Sequence, residues 1–323
     1  MATLVTGAAG FVALNVVEHL LAAGRDVVGL DRIPLPDRAV RDFAALPGRL
    51  MMLSGTILSE NDLTRALTAM PVEAVIHCAV ITAGARREVT DPEAIVAVNV
   101  QGAVTTLMAA VRHGVKRFIY PSSGAVYGLS AATVDVMDED KLRPAPANLY
   151  GLTKFAAESI LPRIAETQKV SLTCARLGVV YGPWEYATGV RDTLSPMLQI
   201  LECAAAGMPA VLGPPWRGDY TCSRDIAAGL VAMADAPSLP RSIYNLATGR
   251  GSNAEAWCEI LAARLPDFVW RRAAPDEPFS VDSHSGFDRG AMSIERIIAD
   301  TPYRPQYDFT RAVDHILEWR AQA

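Results

Sequence analysis

The sequence predicts an α/β fold, a doubly wound parallel sheet with a smaller, discontinuous C-terminal substrate domain. Three observations predict it. Short apolar runs alternate with amphipathic stretches from residue 1 to about 180, the pattern of βα units that make a parallel sheet. A glycine-bearing turn joins the first apolar run to the first helical one. Residues able to do chemistry gather where the apolar runs end, and in open α/β sheets that edge lines one crevice.

Taken in order, Ala2–Thr6 reads as a buried strand, followed by Gly7-Ala8-Ala9-Gly10-Phe11-Val12-Ala13 and a helix through Leu20 and Leu21, with Gly24 as its C-terminal stop. Asp26–Leu30 is the second strand and ends at Asp31. Val75–Val80 is a buried strand running into a loop, and Phe118–Ser123 another. A helix carries Tyr150 to Ile160, with Pro162 expected to kink or shorten it. A further strand leads to Tyr181-Gly182-Pro183.

The first of these units implies a phosphorylated ligand. Glycines allow a tight turn and close backbone approach to a pyrophosphate, which the helix N-terminus stabilises. A carboxylate some 20 residues on reaches ribose hydroxyls, and Asp31 stands in that position. Its charge would repel a 2′-phosphate, which favours NAD over NADP; Arg32 is a mild counter-signal. The second candidate is Tyr150-Gly151-Leu152-Thr153-Lys154. Residues four apart on a helix share a face, and an ammonium beside a phenol favours the phenolate. A tyrosine tuned in this way exchanges protons in carbonyl–alcohol redox chemistry.

These motifs together resemble the extended short-chain dehydrogenase/reductases, the NAD-dependent epimerase/dehydratase family. Thr6-Gly7-Ala8-Ala9-Gly10-Phe11-Val12 matches its TGxxGxxG pattern, with Ala13 for the last glycine. The resemblance implies a Rossmann-type sheet and a Ser–Tyr–Lys catalytic set at Ser123, Tyr150 and Lys154. Tyr150 would be general base, Lys154 would lower its pKa and hold the nicotinamide ribose, and Ser123 would orient the reacting oxygen. Cofactor contacts are implied at Gly7, Ala9, Gly10, Phe11, Val12, Asp31, Arg32, Thr56, Ile57, Cys78, Ala79, Val80, Asn99, Pro121 and Ser122, with Asn99 placing the lysine through water or backbone. His77 is expected to be structural. The NAD domain would span 1–178 plus about 220–247, and the substrate domain 179–219 plus about 248–323. A homodimer through the helices near 93–112 and 150–165 is also implied.

Four departures from the family pattern bear on the substrate. Thr56 replaces the usual adenine-side aspartate, and Val179 an asparagine that touches nucleotide sugars. Gly218 stands where a phosphate-binding arginine is usual, with Arg217 one residue early, and no Asp-Glu pair follows Ser123. The leading expectation is therefore net NAD-dependent oxidation or reduction of a small polar substrate, such as a sugar acid, with a nucleotide-sugar epimerase as the alternative. Substrate-side candidates are Thr82, Ser123, Gly124, Trp184, Tyr186, Arg191, Arg217 and His284.

Composition excludes other classes. Net charge is −5 with no basic tract, so nucleic acid is not an expected partner. The doublets Arg86-Arg87 and Arg271-Arg272 read as solvated. Five scattered cysteines lack metal-ligand spacing and suit reduced thiols in a cytoplasm. No metal and no membrane span are expected.

Overall fold

The computed structural model describes residues 2–283 and 285–322. Seven strands build the central sheet: β1 (Ala2–Thr6), β2 (Asp26–Asp31), β3 (Leu50–Ser54), β4 (Val72–His77), β5 (Arg117–Ser123), β6 (Ser171–Leu177) and β7 (Ile243–Leu246). Their order is β3-β2-β1-β4-β5-β6-β7, and every pairing is parallel. The order reverses between β1 and β4, so ligands are expected beyond the C-terminal ends of those strands.

The helices that frame the site are α1 (Phe11–Ala22), α2 (Glu60–Thr68), α3 (Gly102–Arg112), α4 (Leu149–Gln168), α5 (Pro196–Ala205), α6 (Ser223–Asp235), α7 (Ala254–Arg264) and α8 (Phe309–Ala321). One face of the sheet carries α1 and α6, packed through residues such as Leu14, Val17, Ile226 and Leu230. The other carries α2, α3 and α4 through Leu63, Leu107 and Leu161. Both faces being covered explains why the strands are apolar throughout rather than alternating. Pro92–Arg112 is apolar enough to cross a membrane by length and composition. In the fold it buries Ile95, Asn99, Ala103 and Leu107.

Two local expectations meet the structure differently. Gly24 does follow α1 with a left-handed φ of 73°, and its amide donates to Leu21 O. Pro162 does not end its helix: α4 runs 20 residues straight through it. The lost amide donor is tolerated because α4 is anchored on both sides of the proline, by Leu161 and Ala165 in the core and by Glu158, buried in a pair with Arg176 at 2.8 Å.

The C-terminal elements gather around a separate core of Tyr181, Met197, Trp257, Leu261, Phe268 and Ile316, contributed by α5, α7, α8 and short strand pairs. Val179–Tyr181 pairs with Tyr220–Cys222, and Val136–Met137 with Ala291–Met292. The second pair brings Met292 over the catalytic-side edge of the sheet, where a Cβ on Gly124 would meet its Sδ at 3.4 Å.

Candidate active site

The glycine turn is built for close approach. Gly7 has φ of 66°, and a Cβ there would stand 2.7 Å from the Ala79 backbone. Only glycine lets the loop after β4 lie against the loop after β1. Gly10 N donates to Gly7 O at 2.9 Å and opens α1. The Asp31 carboxylate braces the turn, accepting from Ala9 N at 3.0 Å and from Ile33 N at 3.1 Å. His77 is structural as expected: its Nδ1 lies 3.0 Å from Thr6 Oγ1. Burial first, then the charge of Lys154, push its pKa down to about 3, so the ring is neutral.

Beyond these strand ends lies a cavity of about 360 Å³. Gly7, Ala9, Gly10, Phe11, Val12, Asp31, Arg32, Thr56, Ile57, Cys78, Ala79 and Val80, twelve of the cofactor positions expected from sequence, all line it. Thr82 and Arg191 line it as well. The cavity's span, from the glycine turn past Asp31 and on to Thr82 and Arg191, fits an extended dinucleotide. Cys78 is held inert, its thiol pushed up to about 12 by burial.

The catalytic-side residues converge from three elements. Ser123 ends β5, and its Oγ accepts from Ala125 N at 3.1 Å. Tyr150 and Lys154 lie one turn apart on α4, whose N-cap Asn148 accepts from Gly151 N at 2.8 Å. Burial raises the Tyr150 phenol above its usual value, opposed by hydrogen bonding to Ser123, the charge of Arg191 and hydrogen bonding to Thr82. The Lys154 ammonium donates to Pro121 O at 2.6 Å and lies 4.6 Å from the Tyr120 ring centre. Its pKa falls to about 8, chiefly by burial. The Lys154 ammonium is held by the β5 backbone, and the charge of Arg191 is what opposes the rise at the phenol.

Asn99 sits in a single π-helical turn, Ala97–Gln101, a feature that recurs at functional sites. Its Oδ1 accepts from Ile81 N at 2.8 Å, and its Nδ2 donates to Ile81 O and Thr153 Oγ1. It therefore ties the loop after β4 to α4 directly, one residue from Lys154. Ser122 is buried with an Oγ that has no hydrogen-bond partner among the described residues.

Several substrate-side expectations do not converge on this site. Trp184 lies in an aromatic box, edge-on to Phe43 and Trp319, with its Nε1 donating to Glu18. It is absent from the cavity wall because residues 182–184 turn back onto α1. Arg217 is exposed and its guanidinium lies by Gly251; the one-residue offset from Gly218 sends it outward. His284 falls outside the described residues. Tyr186 instead reaches the glycine turn, its hydroxyl donating to Ala9 O at 2.6 Å. Of the arginine doublets, Arg86, Arg271 and Arg272 are exposed as expected, the last two pairing with Glu277 and Glu255 at the surface, while Arg87 is half-buried in a pair with Asp192 at 2.7 Å. Nothing local in Arg86-Arg87 signals that partner 105 residues away.

Comparison with known proteins settles the family. The model of the "NAD dependent epimerase/dehydratase family" matches residues 3–247. The chain belongs to that family. Its central sheet is the seven-strand Rossmann-like one, and NAD is its cofactor. Among curated relatives, a dTDP-L-rhamnose 4-epimerase of Burkholderia thailandensis is 25% identical over 99% of this chain and 94% of its own length. A UDP-glucose 4-epimerase of Pasteurella multocida is 28% identical, covering 78% of this chain and 79% of that protein. Among solved structures, MoeE5 in complex with UDP-glucuronic acid and NAD aligns over 100% of this chain and 99% of its own, with 25% identity and a TM-score of 0.81.

Proposed function

We propose that this protein is a nucleotide-sugar 4-epimerase that keeps NAD bound through the cycle. The observation that carries the reading is the end-to-end similarity to a dTDP-L-rhamnose 4-epimerase and to MoeE5, solved with a UDP-sugar and NAD, joined to Ser123 at the end of β5 and Tyr150 and Lys154 one turn apart on α4. This moves the leading expectation away from net oxidation of a small sugar acid. NAD supplies the hydride acceptor and donor. Tyr150 takes the proton from the sugar hydroxyl and returns it after the ring has presented its other face, with Ser123 and Thr82 orienting the oxygen. Lys154 would hold the nicotinamide ribose, and the charge of Arg191 opposes the upward push of burial on the phenol. Asp31 favours NAD over NADP.

A second reading, net dehydrogenation of a smaller substrate, has its own support. Val179 and Gly218 lack the groups that grip a nucleotide diphosphate, and Arg217 is turned away. One experiment separates the two. The purified chain with its bound NAD is incubated with UDP-glucose, UDP-glucuronate and dTDP-rhamnose, and the products are followed by NMR together with NADH absorbance. Inversion at C4 without accumulation of NADH is expected. Stoichiometric NADH from a free uronate, with no inversion of any nucleotide sugar, would overturn the epimerase reading.

A further inference from the structure

Segment 184–192 crosses the mouth of the cofactor cavity and is fastened at both ends. At its root, Trp184 has φ of 67°, a left-handed conformation that is strained for a bulky residue and persists only where the surroundings enforce it. The enforcement is visible. Trp184 is 4% exposed, wedged between Phe43 and Trp319, with Arg38 stacked on Trp319 at 3.8 Å from its ring centre. Midway, Tyr186 donates to Ala9 O within the glycine turn itself. Over the cavity, Thr188 to Arg191 form part of the wall.

The far end is locked to the other bank. Thr82 N donates to Val190 O at 2.9 Å and Asp192 N to Thr82 O at 3.0 Å, a two-bond bridge between the segment and the loop after β4. Beside it, Arg87 forks onto Asp192 at 2.8 and 2.7 Å and also donates to Gly189 O. Gly84 N donates to the same carboxylate at 3.0 Å. A bidentate guanidinium–carboxylate contact is both directional and stronger than a neutral hydrogen bond.

We propose that this segment is a clasp that retains NAD between turnovers, with the Arg87–Asp192 pair as its catch. The proposal deepens the epimerase reading, in which the hydride must return to the sugar before the cofactor leaves. A dinucleotide lying between the glycine turn and residues 188–191 cannot depart without parting the Thr82 bridge and the Arg87 fork. The Arg87–Asp192 pair makes no direct contact with Ser123, Tyr150 or Lys154, so its loss is read first in cofactor residence.

The test uses the full chain loaded with NADH and chased with excess NAD, release being read by stopped-flow fluorescence. Arg87→Ala and the near-isosteric Asp192→Asn are each expected to release NADH about 5–30-fold faster, the effect of losing a contact of one to two kcal/mol. The double variant should release no faster than either single one, because both remove the same contact. Thermal melts confirm that each variant is folded. Release unchanged in both single variants, or additive acceleration in the double, would overturn the clasp. Sugar inversion is scored separately. Unchanged release in the variants, with a wild type that inverts C4, sinks the clasp alone; faster release in the variants, with a wild type that inverts no sugar, sinks the epimerase reading and leaves the clasp standing.

Discussion

From Gly7 to Lys154 the site residues stand at or just beyond the ends of sheet strands and on the helices packed against them. From Val179 to Met292 they stand on two-residue and three-residue strand pairs and on connecting loops. The first bank is fixed by the sheet's own geometry: Ser123 is where β5 stops and Gly7 is where β1 stops. The second bank is fixed by side chains that happen to interlock, such as Asp219 accepting from Thr248 and Gly249. On the proposed reading, cofactor chemistry belongs to the first bank, and substrate recognition draws on the second, where one residue of slippage turns an arginine from the cleft to solvent.

Three substitutions would break or sharpen this contrast. Tyr150→Phe should give the largest effect, a loss of hydride transfer of about 10²–10⁴-fold, the range for removing a positioned acid–base group. NADH binding should be retained, so single-turnover kinetics and cofactor titration check it together. Gly7→Ala should come next. Its φ and the 2.7 Å approach to Ala79 predict a cost of about 1–3 kcal/mol in urea unfolding, together with weakened NAD binding. Arg217→Gln should do least: a change below about 0.5 kcal/mol in both unfolding and substrate binding, measured by calorimetry. A large affinity loss there would mean that the second bank re-forms around its ligand and that Gly218 is not a true gap.

The same contrast sets how far the sequence could be read. The parallel sheet and the glycine turn were legible because period and turn chemistry are local signals, and Asp31 lies one βα unit from the turn it braces. Ser123, Tyr150 and Lys154 were legible because each sits at a fixed offset from a strand end or within one helical turn. Trp184 was placed on the substrate side because nothing in Pro183-Trp184-Glu185 announces a left-handed backbone or an edge-on contact with Trp319, 135 positions on. Arg87 and Asp192 were missed for the same reason: an ion pair across two loops leaves no periodic trace. The direction of the Lys154 ammonium was also out of reach, since i,i+4 spacing specifies a shared face but not which acceptor, phenol or Pro121 carbonyl, holds the charge.

Asp31 carries a consequence for how such a protein can change. One of its oxygens already holds the Ala9 amide and the other the Ile33 amide, so the carboxylate that repels a 2′-phosphate is also a strut of the phosphate-binding turn. Trading it for a small neutral residue to admit NADP would loosen the turn before any new cofactor contact existed. A lineage moving toward NADP therefore meets a valley: two changes, one to restore the strut and one to greet the extra phosphate, are worth more together than either alone. Cofactor choice here is buttressed by folding, and drift at a single codon does not reverse it.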